Sequence, residues 1–338
     1  MNNVVKSKRI LWIDYAKVLG MYLVILGHTM LTPPIPYIKG IIYAFHMPLF
    51  FFISGFLHKS NINSKRFFLN CVKQLLIPFL FFNFLELIPK LFMNNDGIFM
   101  IIWNFLKEMA TGIFLGDPPV GPSWFILCLL WMKILLWGCT TICKSQKSLL
   151  YSILFITIIV YFWSNTNYIH SMRILCISNA LISFPFYAIA YIIKLNYEKI
   201  QHLFKQNEWI FFLITILFFI VQHYNTPISL QSCNIGKCFL LMLIAGFSGI
   251  LICVKVCSFF KSENHFVYTL SAGSIIILCT HGFILNMTIN KYIIGDEKYT
   301  ILWYIYSIIG CIIIMTIEYP IIKFFFKYLN WTVGGRKL

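Results

Sequence analysis

Long apolar runs alternate along the chain with short clusters of basic and turn-forming residues. Runs of about 17–25 apolar residues are long enough to cross a bilayer as α-helices. They fall at 11–31, 40–57, 73–93, 122–143, 149–164, 173–194, 209–224, 236–257, 268–289 and 300–325. The pattern predicts an all-α integral membrane protein, a polytopic bundle of about ten transmembrane helices. A stretch at 98–115 contains Lys107, Glu108 and Gly112, and reads as an interfacial or re-entrant helix rather than a further span. The first run does not read as a cleaved signal peptide: it is too long, carries Asp14 and Lys17, and has no small-residue cleavage site. The longest gap, 94–121, holds Asp96, Asp117 and the turn-forming run Gly116-Asp117-Pro118-Pro119. No soluble domain is expected, so 1–338 reads as a single transmembrane domain.

Composition narrows the class. Of the 338 residues, 59% are hydrophobic and 11% charged, against about 25% charged in soluble domains. With a mean hydropathy of +0.80, this excludes a disordered chain and an ordinary cytosolic enzyme. The net charge of +16 raises the question of nucleic acid, but the cations sit in short clusters between apolar runs, the pattern of membrane topology. The expected partner is the lipid bilayer, not nucleic acid. With the N-terminus in the cytoplasm, 18 of the 27 Lys and Arg residues face inward, 7 face outward, and 2 (Lys17 and Lys133) lie within spans. That count favours ten spans with both termini cytoplasmic. Most of the 11 cysteines lie in apolar runs, where Cys behaves as a small hydrophobe. Neither a disulfide framework nor a metal site is expected.

Ionisable groups within spans are costly and therefore functional candidates. The first span is the richest, reading RILWIDYAKVLGMYLVILGHT from Arg9 to Thr29. Asp14 and Lys17 are spaced i,i+3 and can pair. Lys17 and His28 are 11 residues apart, close to a whole number of turns and about 16 Å along the axis. Asp14, Lys17, Met21 and His28 therefore share one stripe, with the carboxylate and ammonium deep on the inner side and the histidine near the outer end. A structural ion pair and an interfacial histidine are the plain alternative. Gly20 and Gly27 suit close helix approach, as do Ser54 and Gly55 in the second span. That span opens Phe45-His46-Met47-Pro48, which puts His46 at a depth similar to His28. Glu86, Lys133, His281 and Glu318 are the other polar groups within spans; Lys133 and Glu318 read equally as anchors. The loop 58–75, with Lys65 and Arg66, serves either topology or the binding of phosphate.

Several segments together resemble the membrane acyltransferase-3 family of bacterial inner-membrane O-acyltransferases. They are IDYAKVLGMYLVILGH (Ile13–His28), FHMPLFFFISGFL (Phe45–Leu57), KQLLIPFLFFN (Lys73–Asn83), GPSWFILCLL (Gly121–Leu130) and TLSAGSIIILCTHGFIL (Thr269–Leu285). The first fits the family's pattern of a basic residue, ten residues and a histidine, with Lys17 as the basic residue. Members often carry arginine there; lysine keeps the charge but loses the bidentate fork. The resemblance implies a ten-helix enzyme of the bacterial inner membrane. Such an enzyme takes an acyl group, usually acetyl, from cytoplasmic acyl-CoA. It places the group on a hydroxyl of a cell-surface glycan or lipid-linked saccharide. His28 maps to the family's proposed catalytic histidine and Lys17 to its functional basic position. Some members add a soluble esterase-like domain, which is not expected here.

The chemistry requires a base for the acceptor hydroxyl or a nucleophile to hold the acyl group. A neutral imidazole suits the first role. The expected catalytic set is His28 with Lys17 and Asp14. The expected substrate-binding set is His46, Glu86, Trp124 and His281, with His46 or Glu86 orienting His28 and Trp124 stacking on a sugar ring. Lys17, Lys65 and Arg66 would contact the CoA donor, with acetyl-CoA the expected form. An acyl-His28 relay, a homodimer, a transporter or exporter of a polysaccharide precursor or small solute, and a scaffold for a glycan-assembly complex all stay open at the level of sequence.

Overall fold

The computed structural model describes residues 9–29, 36–60, 62–93, 97–115, 117–166, 173–206, 208–287, 301–335 and 338. Asp96, Gly116 and the cations Lys6, Lys8, Lys291, Lys298, Arg336 and Lys337 of the sequence reading lie outside them, as do the ends of the expected spans at 30–31, 288–289 and 300. Among the described residues the chain is helical, with one isolated antiparallel bridge between Ser229 and Asn234.

The first two helices are α1, Leu11–Thr29, and α2, Pro36–Phe56. They run antiparallel. Trp12 meets Phe56 at one end, with ring centroids 5.5 Å apart; Gly27 lies against Tyr43 at the other. Three helices follow: α3, Ser64–Cys71; α4, Ile77–Leu85; and α5, Leu87–Met93. A π-helical turn, Val72–Leu76, joins α3 to α4. Next come α6, Ile98–Leu115; α7, Trp124–Ile142; and α8, Gln146–Ser164. A capping box between Ser145 and Ser148 starts α8, satisfying backbone N–H groups that a helix start leaves over. The chain continues through α9, Ile177–Leu195; α10, Tyr197–Gln206; α11, Trp209–Asn225; and α12, Phe239–Ser258. It ends with α13, His265–Ala272; α14, Ser274–Met287; and α15, Ile301–Tyr328.

The centre of the bundle is α2, packed on α1, α9 and α12. Phe51, Phe184, Phe186 and Tyr187 are fully buried at its core. Within a membrane, close packing rather than the exclusion of water holds helices together. The α2–α9 crossing is close: a Cβ on Gly55 would collide with the carbonyl oxygen of Tyr187. This is the packing role expected of Ser54-Gly55.

Among the described residues eight helices are long and apolar enough to cross a membrane, or nine with one bent pair taken as a span. Two differences from the sequence reading stand out. Ile98–Leu115 is one of the eight. It buries a narrow face (Ile101, Phe105, Met109, Gly112) and leaves Phe99, Trp103, Phe114 and Leu115 exposed. The expected straight span at 268–289 is instead a broken pair, α13 and α14, bent by 83° around Gly273. At that bend Gly273 lies under Ile322 of α15, where an added Cβ would come within 2.5 Å.

Candidate active site

The last turn of α1 and the start of α7 meet the middle turns of α2 and α14. There His28, Tyr43, His46, Met47, Trp124 and Gln231 line one small cavity. Its volume is about 30 Å³, room for roughly one water. The ring of His281, carried on α14, packs against His28 with centroids 5.1 Å apart. Three sequence-predicted residues, His28, His46 and Trp124, thus line one space, and His281 adjoins it through His28.

Local helix geometry sets the tautomers of two of these rings. His46 Nδ1 lies 2.7 Å from the carbonyl of Ile42, and His281 Nδ1 lies 2.8 Å from the carbonyl of Ile277. A carbonyl only accepts, so each Nδ1 carries a proton, and in the neutral ring Nε2 then presents a lone pair. His281 is fully buried, and its Nε2 has no hydrogen-bond partner among the described residues. His28 is half-buried between these two neutral rings.

The walls are fixed by buried amides. Asn83 on α4 is fully buried; its Oδ1 accepts from Val120 N at 2.9 Å and its Nδ2 donates to Ser123 Oγ at 3.0 Å. This pins the turn Gly121–Ser123 from which Trp124 starts α7. The loop 226–238 closes the cavity with Ser229, Leu230 and Gln231. Asn179 Nδ2 donates to the carbonyls of Leu230 and Gln231 at 2.8 and 2.7 Å. Asn225 Oδ1 accepts from Lys237 N and Cys238 N at 2.8 and 2.9 Å. Sequence reasoning missed Tyr43 and Gln231. The only signal for that loop was its polar composition between two apolar runs.

The other expected residues lie elsewhere. Asp14 takes its partners from outside the stripe: Arg9 Nε at 2.7 Å, and Ser271 Oγ of α13 at 2.5 Å. Lys17 is half-buried on α1. Glu86, at the end of α4, lines a separate cavity of about 210 Å³ with Val120, Cys279 and Thr280. It is therefore not brought to His28, and the orienting neighbours there are imidazoles. Glu318 of α15 is fully buried, with Thr280 Oγ1 2.6 Å from its Oε1. Among the described residues no group of three or more His, Cys, Asp or Glu is placed to hold a metal ion.

A second cavity, about 520 Å³, lies past the C-terminal end of α2. Its lining includes His58, Lys59, Arg66, Asn70, Gln74 and Lys133. Arg66 was expected near phosphate and lines it. Lys65 is exposed at the start of α3 and is not part of the lining. Lys59 and Lys133 join Arg66 here. Lys133 was an ambiguous anchor in the sequence, because nothing in α7 alone indicates that it shares a cavity with the loop after α2.

Multiple apolar helices and buried ionisable groups define a multi-pass membrane protein whose polar side chains gather inside the bundle. Residues 10–322 match the family model described as an acyltransferase domain, Acyl_transf_3. The chain belongs to that family, the membrane acyltransferase-3 family, and is an acyltransferase. No curated protein and no solved structure matches it.

Proposed function

We propose that this enzyme moves an acyl group, acetyl in the simplest case, from acyl-CoA to a hydroxyl of a glycan or lipid-linked saccharide. We place it in the inner membrane of a bacterium, with the Lys59–Arg66–Lys133 cavity on the cytoplasmic side. The observation that carries this reading is the division of chemistry along α2. Imidazoles and an indole gather around its middle turns, and cations gather past its C-terminal end. His46, midway along α2, and His58, just past its last turn, are 12 residues or about 18 Å apart along the helix direction. That is comparable with the reach of an extended pantetheine arm. The cations suit the phosphates of CoA, and the arm would carry the thioester through the bundle toward His28. Lys17 lies about 16 Å along α1 from His28, toward the same basic end.

In this scheme His28 takes the proton of the acceptor hydroxyl. The oxygen attacks the thioester carbonyl carbon, the C–S bond breaks, and the departing thiolate takes the proton back from His28. His46 and His281 stand beside His28 as neutral rings with lone pairs at Nε2. An N–H of His28 donated to one of these lone pairs during turnover would hold its other nitrogen toward the acceptor. The cavity around His28 admits only about one water as it stands, so acceptor entry requires the loop 226–238 or a neighbouring helix end to move.

The reading is tested with purified protein, acetyl-CoA and candidate glycans, by measuring free CoA. Release that depends on acceptor supports it. Acceptor transport across sealed vesicles without CoA release contradicts it.

A further inference from the structure

His58 follows directly after α2, where the sequence reads as a basic topology loop. It is nonetheless only 2% exposed. Its Nδ1 lies 2.8 Å from the hydroxyl of Tyr187 on α9. The close Gly55–Tyr187 crossing, one turn earlier on α2, holds the two elements together. Tyr191, also on α9, lies 5.5 Å away ring to ring and hydrogen-bonds Ser60 at 2.7 Å. Lys194 Nζ donates to the His58 carbonyl at 2.6 Å. The residue is therefore anchored on its ring and its backbone by α9.

The one polar ring atom left over is Nε2, which is buried and has no hydrogen-bond partner among the described residues. A buried polar atom without a partner is destabilising, so its retention calls for a reason. His58 lines the large basic cavity beside Lys59, Arg66 and Lys133. A second feature points the same way. The π-helical turn Val72–Leu76 interrupts the α-helical path between α3 and α4 at the cavity wall, where Cys71 and Gln74 contribute to the lining. Such turns occur frequently at functional sites. Cations alone would attract any anion, whereas a neutral donor fixed in one place selects for the position of an anionic oxygen.

We infer that His58 is a specificity-determining contact for a phosphate group in this cavity. The Tyr187 hydroxyl donates to Nδ1, which leaves Nε2–H to donate to a phosphate oxygen also held by Arg66 and Lys133. The inference rests on the donor reading above for the identity of the phosphate as that of CoA. The phosphate contact itself is independent of it, because an anionic lipid headgroup offers the same chemistry.

The test uses the full-length protein in bilayer discs, with His58→Gln and His58→Asn beside wild type. A glutamine amide reaches the position of Nε2, whereas an asparagine amide reaches only that of Nδ1. Thermal unfolding of each variant establishes that it is folded. The probes are CoA, inorganic pyrophosphate, and phosphatidylglycerol titrated into neutral discs. The expected result is that His58→Asn weakens CoA binding about ten-fold or more, as loss of a hydrogen bond to a charged group would, while His58→Gln stays within about three-fold. The same dependence seen with pyrophosphate or phosphatidylglycerol but not CoA keeps the phosphate contact and removes the CoA reading. Folded variants that bind all three probes like wild type, or that lose binding equally, overturn the inference.

Discussion

At the scale of single residues, three imidazoles carry the argument because each is held by a hydrogen bond at Nδ1. His46 and His281 are fixed by carbonyls one turn back on their own helices. His58 is fixed by a tyrosine on another helix. Burial, reinforced by Lys133 and then Lys194, pushes the His58 imidazole down to about 3 from its ordinary 6.5. The unfolded chain takes up a proton at this residue as the pH falls through about 6.5, and the folded protein does not until about 3. The stability associated with neutral His58 is therefore complete above about pH 6.5 and lost progressively below it. Between about pH 7 and about pH 5, the melting temperature of wild type should fall more steeply than that of His58→Gln. Equal slopes would contradict the buried neutral imidazole. His28 was legible in the sequence because a stripe at helical spacing marked it. His58 was not, because its burial depends on Tyr187, which lies 129 residues away.

Among the elements, the positions of breaks and crossings decide what reaches the site. Gly55 lets α2 approach the backbone of α9 at Tyr187. Gly55→Ala should cost about 1–3 kcal/mol of stability, as forced overpacking does, and should weaken CoA binding more than it perturbs the His28 cavity. Unfolding and binding measured on one preparation check this; unchanged stability would mean that the crossing is looser than described. The apolar runs placed most helices to within a few residues, since twenty apolar residues admit little else in a bilayer. They did not disclose the 83° bend at Gly273, because a single glycine in an apolar run also occurs in straight membrane helices. Nor did they disclose the joining of Asn83 to the turn before Trp124. Each of those motifs is weak alone and acquires meaning only from the hydrogen bonds between them.

For the whole molecule, the central feature is polarity along the bundle axis. The cavity around His28 shares its end with Gln231, whose Nε2 lies 3.1 Å from Asp117 Oδ1. The cavity with Arg66 lies past the C-terminal end of α2. Topology reporters inserted after Lys65 and after Asp117 should therefore report opposite sides, with the Lys65 position cytoplasmic. Reports from the same side would contradict the division of donor and acceptor ends. The excess of cations in the segments around Lys65 is the basis in the sequence for this expected orientation. The grouping of Lys59, Arg66 and Lys133 into one cavity required the fold.

The most direct measurement is acyl transfer by wild type and His28→Ala, prepared identically and shown to be folded, with acetyl-CoA as donor and acceptor in excess. With His28 as the base, the variant should keep its CoA binding and lose transfer by about 10²–10⁴-fold, the usual contribution of a positioned general base. Transfer by folded His28→Ala at the wild-type rate would contradict the account.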